Sequence, residues 1–427
     1  MYLLDSLLSR EQSRLLNAVQ SAAAESGLAL YLTGGAMRDM LGGFPIRDLD
    51  FTIEGLPGKL SKSLVKSLPD LAMEEDPVRK AAELRLPCGV TGSLRMARIE
   101  KVTKPGGVPK VTPALILEDL SRRDFTINAM AISLAKASRG LIRDPINGQS
   151  DLHNREIRTC YSQAFFDDPV RILRAVRFKH RLSFQLEERT QRQLANAVEE
   201  RWFMEIPAQR WGEELHAICE ENDPSEILNE LQSLGLLPVK SDLNLPGLAR
   251  FEKLRRMIPG RAAAWPLFLH VVTQEMKANE RAAFLRAFAL KPSDLEFVKK
   301  IKPRVSKLAA SIKSPQLRRP SQIFQAIAPG TSAEILYLLY ESDQRIIQDR
   351  LRNYFQKYLP TASEVTDAQV EASGVKPGTP QFEKAKAAMI AARLNAHAPH
   401  PTVANGAPSA AAPPPVASTG PQTRAAR

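Results

Sequence analysis

Residues 28–55 read LALYLTGGAMRDMLGGFPIRDLDFTIEG. The apolar run Leu28 to Leu32 reads as a short buried strand, broken by Gly34-Gly35. Ala36 to Leu41 suits a helix, so the two glycines place bare backbone N–H groups near a helix N-terminus, where a phosphate is favoured. Gly42-Gly43 and a loop ending in Pro45 lead to a second strand, Arg47 to Ile53. Asp48 and Asp50 stand at i and i+2 of that strand, so both carboxylates emerge on one face. Two carboxylates on one face repel unless a cation lies between them. A hard divalent ion, magnesium first, fits such an all-oxygen site. The stretch thus joins a phosphate cradle to a metal-binding pair, and the chemistry this suits is phosphoryl or nucleotidyl transfer.

Working outward, residues 3–26 carry apolar residues at helical spacing and end at Gly27. Downstream, Lys59 to Leu68 reads as an amphipathic helix, residues 83–103 as a pair of strands, and 104–109, KPGGVP, as a loop. A helix is expected over Leu117 to Leu134. Asp144 to Gly148 forms a turn, and Ser150-Asp151-Leu152 leads to a short strand around Ile157 to Thr159. Helical periodicity then dominates over 168–180, 186–200, 207–221 and 225–234, and on to about residue 394. Residues 396–427 are Ala/Pro-rich with no packable apolar pattern, and are expected to be disordered.

The 427 residues are enough for two to four domains. At 44% hydrophobic and 25% charged, the composition is that of a soluble globular chain, and the formal net charge of +12 favours a polyanionic partner. No apolar run approaches the roughly 18 residues that span a membrane. The N-terminus lacks signal-peptide character. Cys88, Cys160 and Cys219 are spaced too widely for a metal pair and read as buried thiols in a reducing cytoplasm. No G-x-G-x-x-G follows a strand, which disfavours a dinucleotide-binding oxidoreductase.

Two further motifs carry chemistry. In Glu118 to Ala129, EDLSRRDFTINA, an arginine pair beside an aspartate and an asparagine offers phosphate donors together with partners for ribose hydroxyls. In Asp167 to Phe178, DDPVRILRAVRF, Asp-Pro starts a helix, and Asp168 and Arg171 share one face of it. An acceptor and a planar donor fork on one face can pair with the edge of a base as a template would. Arg174 and Arg177 continue the stripe, to contact triphosphate or to hold the helix. Basic residues are dense from Lys299 to Arg319, which suits a grip on RNA backbone. Trp202, Trp211 and Trp265 sit among apolar helical residues and read as core.

GGAMRDMLGG followed by RDLDF, with RRDFTINAM and DDPVRILRAVRF, resembles the class II tRNA nucleotidyltransferase and bacterial poly(A) polymerase family. The resemblance implies an α+β fold: a nucleotidyltransferase-type mixed-sheet head over 1–145, then an all-α neck (146–220) and helical RNA-binding body (221–395), with the tail at 396–427. It implies an enzyme that adds CMP and AMP from CTP and ATP to the tRNA 3′ end, completing or repairing CCA by a two-metal mechanism with Mg2+. Asp48 and Asp50 would hold the metals, and Gly34, Gly35 and Arg38 the triphosphate. Arg123, Asp124 and Asn128 would lie by the ribose, Asp168 and Arg171 would choose the base, and the turn at 144–152 would be a hinge. The first acid of the selecting motif, usually Glu, is Asp167 here. In Ser93 to Glu100, the stretch that matches the strand of the family's third carboxylate, an acid is missing at the position first expected, and Glu100 is the nearest candidate. The same motifs suit a poly(A) polymerase or a CC- or A-adding relative, and the missing acid leaves room for a catalytically weak RNA-binding homologue.

Overall fold

The computed structural model describes residues 6–77, 80–239, 242–258 and 265–396. The first helix, α1 (Arg10–Glu25), starts at a capping box in which Ser9 accepts from the Gln12 backbone and Gln12 returns the bond. Its apolar stripe, with Leu15, Leu16 and Val19 wholly or almost wholly buried, packs on a sheet. The strands are β1 (Leu30–Thr33), β2 (Asp48–Ile53), β3 (Ala72–Asp76), β4 (Ala81–Arg85), β5 (Thr91–Met96), β8 (Ala131–Ser133) and β9 (Ile142–Arg143), ordered β3-β4-β5-β2-β1-β8-β9. Within this sheet, among the described residues, only β2 and β5 run parallel; the other pairings are antiparallel. Leu49, Phe51 and Ile53 point from β2 into the core, and Leu15 of α1 lies on that side. Alternation therefore sends Asp48, Asp50 and Thr52 to the opposite face.

Between β1 and β2 lies α2 (Gly34–Gly42), and α3 (Gly58–Ser67) covers the sheet beside α1. A separate two-stranded ribbon, β6 (Arg98–Lys101) with β7 (Lys110–Pro113), carries the expected loop 104–109 at its tip. The strand pair expected over 83–103 is β4 with β5. β3 carries no apolar alternation because it is the sheet's edge, where polar residues are tolerated.

The helix expected over Leu117 to Leu134 is absent. In its place stand α4 (Ile116–Leu120), one 3-10 turn (Thr126–Asn128) and the strand β8. Residues 124–134 are buried throughout, so there is no polar face for a helix to expose. The Asp124 carboxylate accepts from the Phe125 backbone, and β8 satisfies its own backbone against β1.

The chain then turns helical: α5 (Gly148–Asn154), α6 (Ala164–Asp167), α7 (Val170–Leu182), α8 (Glu188–Glu199) and α9 (Ala208–Cys219). Residues Glu156–Ile157 and Gln185–Leu186 pair as two short parallel strands. Helices follow through Pro224–Ser233, Leu245–Arg255, Trp265–Val272 and Ala278–Ala287 to the 22-residue helix Pro292–Lys313. Trp211 is buried and meets Phe288 edge-on, as expected of a core residue, whereas Trp265 is half-buried and stacks on Phe268. The described residues up to Lys313, with Pro329–Arg352, form one compact unit; Ser314–Ala328 and the described residues from Asn353 form another. In the second, Val365, Val370 and Phe382 make a small apolar core. Among the described residues no helix is long and apolar enough to cross a membrane. The expected disordered tail lies, beyond Ala396, outside the described residues.

Candidate active site

Asp48 and Asp50 lie on one face of β2, and β5 holds each of them with a hydroxyl. The Thr91 hydroxyl donates to Asp48, and the Ser93 hydroxyl donates to Asp50 Oδ1 at 2.6 Å. The matched spacing follows from the parallel register, Asp48 opposite Thr91 and Asp50 opposite Ser93. Asp48 is exposed and Asp50 half-buried. Asp50 Oδ2 faces α2: a Cβ built on Gly34 would lie 3.2 Å from it and 3.4 Å from Arg123 Nη1. The first turn of α2 thus begins against the metal-type carboxylate. Its N-cap, Thr33, supplies no side-chain cap, because Thr33 Oγ1 is engaged with Thr52 Oγ1 at 3.0 Å. The Gly34 N–H is bound to Met130 O at 3.3 Å, so the cradle is offered by the N–H groups that follow.

Gly34 has φ +64°, a left-handed backbone that an alanine there would strain by about 1–2 kcal/mol. Gly34→Ala is therefore expected to fold with modest loss. Its methyl presses on Asp50 and Arg123, and any catalysis at this face is expected to fall by roughly 10²-fold, as misplacement of a reacting group does. Single-turnover rates measured beside the melting temperature check this.

The third-carboxylate candidate Glu100 lies outside the sheet that carries Asp48 and Asp50. After β5 the chain leaves the sheet, and Glu100 sits in the β6–β7 ribbon, accepting from Arg98 Nε at 2.7 Å. The acidic residue in register is Glu83 of β4, opposite Ser93, which is itself opposite Asp50. Partial desolvation raises the Glu83 carboxyl above its ordinary range; Arg95 opposes this, while Asp50 and Asp48 add to it. Among the described residues, no three His, Cys, Asp or Glu side chains gather to hold a metal ion. The donor set directly offered is the aspartate pair: acceptor-only oxygens, accessible and on one face, which fit a hard divalent cation.

Arg123 is placed beside Gly34, held by two bonds to Asp119 Oδ2 (2.8 and 2.9 Å) and one to Thr52 Oγ1 (2.9 Å). Asp124 and Asn128 belong to a buried relay. Arg174 clamps Asp124 Oδ2, Asn128 Nδ2 donates to Asp124 Oδ1 at 3.1 Å, and Arg38 Nη1 donates to Asn128 Oδ1 at 2.7 Å. Burial opposes the Asp124 charge, but Arg174 and Arg171 outweigh it and hold the carboxyl well below its ordinary range. Arg38 was expected at the triphosphate. It is only 2% exposed and bonded to Asp39 and Asn128, so it braces the relay from beneath.

The selecting helix α7 divides its arginines. Arg171 donates to the Tyr161 hydroxyl, Ala164 O and Arg122 O, while Asp168 Oδ2 accepts from Arg210 at 3.2 Å. Asp168 and Arg171 are thus near each other but not paired. Arg177, offered as a triphosphate contact or a helix brace, is the brace: it is buried between Glu214 (2.6 Å) and Glu221 (3.0 Å). Tyr161, Glu83, Arg210, Glu214 and Glu221 were not foreseen. Glu214 did carry a signal, since it shares the stripe Trp211, Leu215 and Ile218, and a carboxylate in an apolar stripe needs a buried cation.

A family profile described as the poly A polymerase head domain matches residues 30–158. An A-adding tRNA nucleotidyltransferase of Halalkalibacterium halodurans is 32% identical over 313 residues, 70% of this chain and 70% of that one. A second A-adding tRNA nucleotidyltransferase, from Aquifex aeolicus, is 30% identical over 77% of this chain, which spans only 40% of that longer protein. A solved structure described as a tRNA-processing enzyme, apo form I, superposes with a TM-score of 0.56 at 25% identity, covering 91% of this chain and 99% of the other.

Proposed function

The chain belongs to the tRNA nucleotidyltransferase family, and from that premise we propose that it adds CMP and AMP from CTP and ATP to the 3′ end of tRNA in the cytoplasm, completing or repairing CCA without a nucleic-acid template. The observation that carries the reading is the Asp50 carboxylate lying against Gly34, so that metal-type ligand and phosphate cradle face each other. Asp48 and Asp50 would hold two divalent cations, magnesium first, which when bound supply Lewis-acid stabilisation of charge on the triphosphate and the attacking 3′ oxygen. The N–H groups after Gly34 and the guanidinium of Arg123 orient the triphosphate. The relay through Asp124 and Asn128 keeps the ribose side of the pocket rigid.

Asp168 and Arg171 account for the choice of base. Cytosine and adenine both present an exocyclic amino group beside a ring nitrogen that accepts; uracil and guanine present a carbonyl beside an N–H. A carboxylate acceptor next to a guanidinium donor matches the first pair and opposes the second. On this reading 1–145 is the catalytic head, 146–220 the selecting neck and 221–395 the RNA-gripping body. Lys299, Lys300, Lys302 and Lys307 on the helix Pro292–Lys313 would meet tRNA backbone, its apolar residues Val298, Ile301 and Val305 facing inward.

A second reading, addition of the terminal adenylate alone, is favoured by the names of both relatives. Three tRNAs ending before CCA, after C and after CC, each with CTP and ATP, one of them labelled, and magnesium, separate these. Growth of every substrate to CCA supports the first reading, and growth of the CC-ended tRNA alone supports the second. A long ladder points to poly(A) synthesis, and no incorporation sinks them all. In the same assay Arg171→Ala is expected to relax discrimination against UTP and GTP by roughly tenfold or more, the worth of one lost charged hydrogen bond. Unchanged discrimination would remove Arg171 from base selection.

A further inference from the structure

Tyr161 sits just before α6, half-buried, at the centre of the selecting cluster. Its hydroxyl donates to Asp167 Oδ2 and accepts from Arg171 Nη1, both at 2.8 Å. Arg122 closes the group from the other side. It donates to the same Asp167 oxygen at 2.9 Å, and its guanidinium lies 3.9 Å from the centre of the Tyr161 ring. Burial pushes the phenol up to about 12, so at neutral pH it keeps its proton and must find an acceptor. Asp167 is that acceptor, which leaves the phenol lone pair directed at Arg171.

The consequence falls on the Arg171 donors. Nη1 is spent on Tyr161 and on Ala164 O (3.3 Å), and Nη2 gives one hydrogen to Arg122 O (3.2 Å). Among the described residues, Nε–H and the second Nη2 hydrogen have no protein acceptor. Those two hydrogens are left for a ligand, and the guanidinium plane is held by the Tyr161 hydroxyl together with Ala164 O and Arg122 O, Tyr161 being the one side chain of the three. We infer that Tyr161 is a positioning residue for nucleotide choice: its hydroxyl completes the set that holds the Arg171 guanidinium in plane and so helps select the donor edge that the base meets. Asp167 serves the same end by orienting the phenol, which removes it from direct contact with the base. The inference rests on the base-selecting reading of Asp168 and Arg171.

The test is Tyr161→Phe, which keeps the ring under Arg122 and removes only the hydroxyl. Equilibrium binding of CTP, ATP, UTP and GTP to the full chain without RNA is measured beside single-nucleotide incorporation. The preference for CTP and ATP over UTP and GTP is expected to fall about tenfold in both, since Arg171 loses one fixed hydrogen bond. Asp167→Asn, which alters the acceptor and spares the ring, is expected to shift the same ratio in the same direction. A merely structural role would weaken all four nucleotides alike, and that result in both variants overturns the inference. So does an unchanged ratio in both while Arg171→Ala relaxes it, in which case the base-selecting reading survives. If Arg171→Ala leaves the ratio untouched, that reading fails and this one falls with it.

Discussion

Asp50→Asn is expected to remove nucleotide incorporation, by 10³-fold or more, while the protein folds as before and still binds tRNA. Asparagine keeps the shape of the side chain and an oxygen that can accept the Ser93 hydroxyl, now 2.6 Å from Asp50 Oδ1. What it removes is one of two negative charges on the same face of β2, so repulsion with Asp48 is relieved rather than increased. Stability is therefore expected to hold or rise slightly. Cations held by this pair would lose half of their charged donor set, and the stabilisation of charge on the transferring group would go with it. Three measurements check this together: incorporation rate, affinity for Mn2+ as a spectroscopic probe, and tRNA binding by gel shift. A variant that turns over at the wild-type rate, or binds Mn2+ as tightly as the wild type, would remove the metal assignment. A variant that loses tRNA binding as well would mean that Asp50 is holding the fold together.

The parts of this site that lie along one strand were legible in the sequence, and the parts that depend on strand order were not. Asp48 and Asp50 needed only the two-residue period of a strand to be placed on one face. The neighbour of Asp50 is a different matter. Ser93 and Glu83 stand beside it through a parallel pairing and then an antiparallel one, and no local pattern encodes that order. Glu100 looked close because it is close along the chain, yet β5 ends before it and the ribbon carries it away. The misread helix over Leu117 to Leu134 has a related cause. Periodicity reports an element with one wet face, and residues 124–134 have none, so the signal was silent about β8. Helices such as α7 and α8 were legible because each has a polar side. The pairing of Arg177 with Glu214, 37 positions away, was not, because only packing of α7 on α9 brings them together.

That pair supports the second large effect. Arg177→Met is expected to cost about 3–5 kcal/mol of stability, the range found when one member of a buried ion pair is removed. The side chains of Arg177 and Glu214 are each 6% exposed, and that of Glu221 2%, so water cannot replace the lost cation. Glu221 keeps other partners, Arg47 at 3.1 Å and Arg181 at 3.9 Å. Glu214 has no other ion pair among the described residues, and most of the penalty should be its own. The double variant Arg177→Met, Glu214→Leu therefore recovers much of the loss in urea unfolding, because an apolar pair of similar size has no desolvation cost to offset. Arg171 and Arg174 ride on the same helix and Asp168 stands just before its first turn, so the single variant should also blur nucleotide choice, and the double variant should restore choice along with stability. If Arg177→Met instead leaves stability within about 1 kcal/mol and raises the KM for triphosphate, Arg177 faces the substrate and the bracing role assigned to it is wrong.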